Sequence, residues 1–189
     1  MRIIGGALRG RKLGTLQGRS IRPTSDRAKE ALFNILGTQA ANAAVLDLFA
    51  GTGALGIEAL SRGATNAVFI DKAPASLSAL RKNVALCRLQ KHSRVLQWDI
   101  VKNLECLRVY HRAFNLVFID PPYGQGMIEP ALQHLMAAAA LAKSACIVVE
   151  QDTRERQPSL PSLFKCEDQR RYGHTRLTFL SFAGDHIAS

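Results

Sequence analysis

The sequence contains no apolar run near the roughly 20 residues needed to cross a bilayer. Its longest candidate, Leu135 to Ala142, is alanine-rich and bounded by His134 and Lys143. The N-terminus, Met1-Arg2-Ile3-Ile4-Gly5-Gly6, lacks the apolar stretch of a signal peptide. A cytoplasmic protein with no membrane partner is therefore expected. Cysteine is sparse: Cys87, Cys106, Cys146 and Cys166 are widely spaced, with no C-x-x-C pair and no histidine nearby at ligand spacing. That excludes a disulfide framework and gives no metal site, leaving buried or half-buried free thiols as the expectation. None of the four stands beside a proline at a strand end, which argues against a cysteine nucleophile. Linkers, repeats and low-complexity blocks are missing too. At 189 residues the chain suits one domain, with residues 1–22 as a basic arm or hairpin and 23–189 as the core.

Acids are also in short supply. Lys plus Arg number 25 against 15 Asp plus Glu, a formal charge of +10. Residues 1–30 hold eight basic side chains (Arg2, Arg9, Arg11, Lys12, Arg19, Arg22, Arg27, Lys29) against Asp26 and Glu30, and so carry +6 of that charge. Such a cluster attracts polyanions through counterion release. A solvated basic face without a partner would look the same in composition. A membrane surface fits less well, because glycines interrupt the arginines where an amphipathic helix would be needed.

The first 22 residues read as short extended pieces punctuated by glycine, a small hairpin or flexible arm. Pro23, then Thr24 or Ser25 as a cap, start a helix whose apolar face is Ala28, Ala31, Leu32, Ile35 and Leu36. Strand and helix patterns then alternate. Strands are expected at Ala43–Phe49, Ala67–Ile70, Arg94–Trp98, Phe114–Ile119 and Cys146–Val149. Helices are expected at Ala54–Arg62, Ala75–Leu89 and Ile128–Ala142. This alternation predicts an α/β, doubly wound, mostly parallel sheet. Phe164–Arg171 and Arg176–Phe182, joined through Tyr172-Gly173-His174-Thr175, predict an antiparallel C-terminal hairpin.

In such a sheet ligands bind beyond the carboxyl ends of the strands, where this chain places its acids. Asp47-Leu48-Phe49-Ala50-Gly51-Thr52-Gly53-Ala54-Leu55-Gly56 is a strand end, a glycine loop and a helix start. With Asp71 20 residues after Gly51, it satisfies a dinucleotide fingerprint. The loop alone does not choose between NAD and S-adenosylmethionine. Asp47 helps to choose, since a carboxylate repels an incoming pyrophosphate but suits the ammonium and sulfonium of a methionyl ligand. Asp120-Pro121-Pro122-Tyr123 is more specific. An exocyclic amino nitrogen is a poor nucleophile because its lone pair is delocalised into the ring. A carboxylate and a fixed backbone carbonyl that accept its N–H bonds draw that pair out and stabilise the cation formed on methylation. A tyrosine can stack on the extruded base. Glu150 is read as a strand-end acid near solvent, Trp98 as packed beside the cofactor site and His174 as a turn residue.

These motifs together resemble a class I S-adenosylmethionine-dependent methyltransferase, and the chain is most similar to the RsmD family of 16S ribosomal RNA guanine-N2 methyltransferases. The resemblance runs through Met1–Gly6, Leu8–Leu13, Arg22-Pro23-Thr24-Ser25-Asp26-Arg27 through Asn34, Asp47–Ala64, Asp120–Tyr123 and Tyr172-Gly173. It implies a Rossmann-like fold, S-adenosylmethionine as methyl donor, and ribosomal RNA or a partly assembled small subunit as partner. A monomer is expected. It further implies that Asp47, Gly51 and Gly53 hold the methionyl end, Asp71 the ribose and Asp99 the adenine amino group, with Phe49 also among the cofactor-binding residues. Asp120, Pro121 and Tyr123 would orient the target base. Arg2, Arg9, Arg11, Lys12 and Arg22 would contact RNA, and Thr24 would close over the cofactor.

Three rival readings share parts of the pattern. An amino-methyltransferase acting on DNA adenine or cytosine usually carries a separate recognition segment, for which 189 residues leave no room. An NAD-binding oxidoreductase is disfavoured by Asp47 and Asp120-Pro121-Pro122-Tyr123, and a non-catalytic RNA-binding module by the full set of strand-end acids.

Overall fold

The computed structural model describes residues 1–15, 26–110 and 114–184. Arg22 and Thr24 therefore lie outside the described residues. Seven strands form one sheet: β1 (Ala44–Leu48), β2 (Asn66–Asp71), β3 (Ser93–Gln97), β4 (Phe114–Ile119), β5 (Leu141–Asp152), β6 (Phe164–Tyr172) and β7 (Thr175–Phe182). Their order is β3-β2-β1-β4-β5-β7-β6. The first five are parallel, and β7 pairs antiparallel with both β5 and β6. The expected α/β sheet with an antiparallel C-terminal hairpin is thus the observed fold. Among the described residues no helix is long and apolar enough to cross a membrane.

Alternating side chains send the core to both faces. Val45, Phe69, Leu116 and Phe118 pack under helices α1 (Asp26–Leu36), α2 (Ala54–Ser61) and α3 (Pro74–Leu86). Leu46, Leu48, Val117 and Ile119 pack against α4 (Ile128–Ala137) on the other side. Central strands buried on both faces need near-continuous apolar runs, and β1 and β4 have them.

One boundary departs from expectation. The helix predicted to reach Ala142 stops at Ala137, and β5 begins at Leu141, five residues before the expected Cys146. Alanine favours helix but does not enforce it. Here Ala139 takes a positive φ of 48° that ends the helix, and Phe114 N–H bonds to the Ala140 carbonyl to start the pairing. Cys166 is exposed, unlike the buried or half-buried thiols expected; all four cysteines are free.

The N-terminal segment is a hairpin, closed by pairing of Arg2 with Lys12 and by Ile3 N–H on the Arg11 carbonyl. It is fastened to α2 by Glu58, which is fully buried. Its carboxylate accepts from the backbone amides of Ile4 and Gly5, each at 2.8 Å, and from Arg62 Nε at 2.9 Å. Lys29 Nζ lies 3.3 Å away and also donates to the Arg2 carbonyl at 2.6 Å. Ser61 Oγ adds a bond to the Gly5 carbonyl and accepts from Leu8 N–H. Lys29, counted by composition in the basic cluster, is 1% exposed and belongs to this internal network.

Removing one partner of a buried ion pair strands the other charge, which costs roughly 3–5 kcal/mol. Glu58→Ala should therefore lower stability by about that amount, whereas Glu58→Gln, which keeps an acceptor for the amides, should cost less. Urea unfolding midpoints check this. Unchanged midpoints in Glu58→Ala would contradict the anchoring role.

Candidate active site

β1 and β4 lie side by side at the centre of the sheet, with Asp47 opposite Phe118 and Leu48 opposite Ile119. The chain leaves β1 toward β2 and leaves β4 toward β5, so a crevice opens between their carboxyl ends. A cavity of about 500 Å³ occupies it, within the range of roughly 300–1,000 Å³ usual for small-molecule sites.

The glycine loop forms one wall. Asp47 points to the α1–α3 face, where its neighbours in register, Phe69 and Phe118, are apolar. It is 2% exposed, and Oδ2 accepts from the Gly56 amide at 2.9 Å. Burial pushes its carboxyl up to about 8, with the Gly56 hydrogen bond opposing the rise and the Asp71 charge adding to it. Gly53 caps α2 at φ 80°, in space where a Cβ would collide with Leu80. Gly56 sits against the Phe69 ring and Asp47 with no room for a side chain. Phe49 lines the cavity at φ 57°, a left-handed conformation that is strained for a bulky side chain.

The second and third acids follow from strands β2 and β3. Asp71, the last residue of β2, accepts from Gly51 N–H through Oδ2 and from Ala73 N–H through Oδ1, at 2.9 and 2.8 Å. A carboxylate offers about four lone-pair positions, so it retains acceptors for a ligand's hydroxyls. Asp99 lies in the turn after β3, where Oδ1 accepts from Val101 N–H and Oδ2 is 3.9 Å from Lys72 Nζ. Trp98 packs beside it and donates from Nε1 to Asn103.

Asp120, Pro121, Pro122 and Tyr123 supply the opposite wall, directly after β4. Pro121 is buried and Pro122 exposed. The Tyr123 hydroxyl donates to Glu150 Oε1 at 3.1 Å. Burial, reinforced by the Glu150 charge, holds its phenol well above the usual range, so it remains a donor.

The structure thus brings together Asp47, Phe49, Gly51, Asp71, Asp99, Asp120, Pro121 and Tyr123 around one cavity, with Gly53 supporting the loop behind it. Arg2, Arg9, Arg11 and Lys12 are absent from its lining. Arg2 pairs with Asp26 at 3.2 Å, and half-buried Arg11 donates to the Leu86 carbonyl at 2.8 Å, while Arg9 and Lys12 are exposed. Glu150 corrects the expectation of a solvent-facing acid: it is 3% exposed. Met1 and Thr15 line the cavity, and Asn83 bonds both Gly14 and the Thr52 carbonyl. Sequence reading missed all three, because these contacts join segments far apart in the chain. Among the described residues no cluster of His, Cys, Asp and Glu could hold a metal ion.

Comparisons with known proteins show the family. The family model described as Conserved hypothetical protein 95 matches residues 1–181. Ribosomal RNA small subunit methyltransferase D of Escherichia coli strain K12 is 40% identical over 162 residues, covering 86% of this chain and 80% of that protein. Its counterpart in Haemophilus influenzae is 36% identical over 154 residues, covering 79% and 78%. The solved structure of Escherichia coli yhhF, a protein named as a methyltransferase, superposes with a TM-score of 0.84 at 34% identity, covering 98% of this chain and 99% of that one. With its sheet order and motif positions accounted for, the chain belongs to the RsmD family, that of the ribosomal RNA small subunit methyltransferases D.

Proposed function

We propose that this chain transfers a methyl group from S-adenosylmethionine to the exocyclic N2 amino group of a guanine in 16S small-subunit ribosomal RNA. The observation that carries the reading is the single cavity whose walls are the acid-lined glycine loop and Asp120-Pro121-Pro122-Tyr123. The names of the relatives support ribosomal RNA as the substrate. In this reading the whole chain acts as one methyltransferase unit.

The residues fit the proposed donor. Asp47 is a buried acid for an ammonium, Asp71 keeps acceptors for two ribose hydroxyls, and Asp99 offers a carboxylate on the cavity wall to an adenine amino group. When bound, S-adenosylmethionine supplies an electrophilic methyl on its sulfonium. Asp120 and the Pro121 carbonyl accept from the guanine amino group, with Tyr123 stacked on the ring. Asp120 stabilises the nitrogen most when it becomes cationic, so its effect falls on the barrier and not on ground-state binding.

Titration calorimetry should show S-adenosylmethionine and its demethylated product binding, and NAD failing to bind. Asp47, held protonated near pH 7 by burial, should ionise when a ligand ammonium arrives. Binding should therefore release a proton at pH 7 and tighten as pH rises toward about 8. Asp47→Asn should abolish that proton release. Tight NAD binding with no response to the other ligands would overturn the assignment.

Charge reversal at the exposed pair Arg9 and Lys12 should weaken RNA binding and flatten its salt dependence, with cofactor affinity unchanged. RNA binding at full strength would reduce the hairpin to a solvated face. Asp120→Ala should cut single-turnover methylation by about a hundredfold or more, roughly 3 kcal/mol of barrier, and leave cofactor binding nearly intact. Asp120→Asn should keep part of the rate, since its amide oxygen still accepts one hydrogen bond. An alanine variant at wild-type rate would remove Asp120 from the mechanism.

A further inference from the structure

We infer that Glu150 is a positioning residue for methyl transfer, holding the Tyr123 hydroxyl so that the ring presents a fixed plane to the target base. The inference rests on the function proposed above. Glu150 lies within β5, opposite Leu177 of β7, and is 3% exposed. Nothing in sheet pairing requires an acid there, and a carboxylate is costly to bury unless it is hydrogen-bonded. Its Oε1 accepts from the Tyr123 hydroxyl at 3.1 Å.

A second clasp lies one residue further along, where Gly124 N–H donates to Glu155 Oε1 at 2.9 Å. The loop after β4 is therefore tied at successive residues to the segment formed by β5 and its continuation. Neither acid lines the cavity, whereas Tyr123 does. Glu150 thus meets the cavity through the tyrosine. A ring whose hydroxyl is held by a buried carboxylate has lost part of the freedom that stacking would otherwise have to remove. The β5–β7 end of the sheet, which carries no part of the glycine loop, acquires a role in presenting the base.

The test is a double-mutant cycle on the full chain, using unmethylated 16S RNA and small subunits as substrate. Tyr123→Phe and Glu150→Leu should each lower the single-turnover rate about tenfold, and the double variant should also lose only about tenfold. Binding of S-adenosylhomocysteine should stay within twofold of wild type throughout. Glu150→Gln, which keeps an acceptor oxygen, should recover most of the rate. Independently of any substrate, NMR of tyrosine labelled at Cζ should show a resonance, assigned by its loss in Tyr123→Phe, that shifts in Glu150→Gln. If Glu150→Leu does not fold, Glu150→Met runs the same cycle with Tyr123→Phe, and the NMR comparison in Glu150→Gln still decides whether the acid holds the ring. Multiplicative losses in the double variant, a wild-type rate in Glu150→Leu, or an unmoved tyrosine resonance would each overturn the inference. A wild-type enzyme that methylates no guanine in this RNA would instead overturn the function it rests on, while the NMR result would still decide whether Glu150 anchors the ring.

Discussion

Everything at the candidate site depends on β1 and β4 being neighbours that diverge. Parallel pairing places Leu48 beside Ile119, so the glycine loop and Asp120 leave the sheet at the same level although some seventy residues separate them. The crossover directions then pull the following chains apart and leave a crevice that no side chain fills. The core serves this arrangement: alternating apolar residues of β1 and β4 are gripped from both faces, which holds the strands in register. A register slip would move Asp47 out of the site and turn its neighbours to the wrong face.

Within that frame the carboxylates do two kinds of work. Asp47 and Asp71 hold the glycine loop through the Gly56 and Gly51 amides before any ligand arrives. The loop is therefore preorganised, with the residues that follow strained Phe49 held from β2 by the Ile70 carbonyl on the Ala50 amide and by Asp71 on the Gly51 amide. Loss of Asp47 would disturb loop shape as well as ligand charge. Only a substitution that keeps the amide bond, such as asparagine, separates the two effects. Asp120 stands apart from that loop-holding pair, across the cavity in the wall that follows β4.

What was legible in the sequence was local. Strand-end acids, the Gly51-Thr52-Gly53 loop and Asp120-Pro121-Pro122-Tyr123 announce themselves by spacing, because their partners lie within a strand, turn and helix start. The alanine run after Leu135 misled, since alanine carries little information about where a helix stops. The acids and amides that tie distant segments together were not legible. Glu58 serves backbone amides more than fifty residues away, and a backbone amide leaves no mark in a sequence. Glu150 was misread for the same reason: its partner is a hydroxyl 27 residues earlier, brought near by pairing of β4 with β5. Lys29 shows the converse error, in which charge counted as surface is committed to an internal carbonyl and a buried carboxylate.

The hairpin connects these observations. Composition allowed a flexible basic arm, but Glu58, Ser61 and Lys29 pin its backbone to α2 and α1. Asn83, 2% exposed, bonds Gly14 beyond the hairpin and the Thr52 carbonyl in the glycine loop. Met1 and Thr15 then complete the cavity wall. The segment that carries exposed Arg9 and Lys12 is thus mechanically continuous with the loop proposed to bind the methyl donor. On the proposed function, RNA gathered by those side chains meets a surface fixed relative to Asp120, not a tether. The polyanion's attraction can then be used to orient the target base, because the charges that draw it in do not move independently of the site.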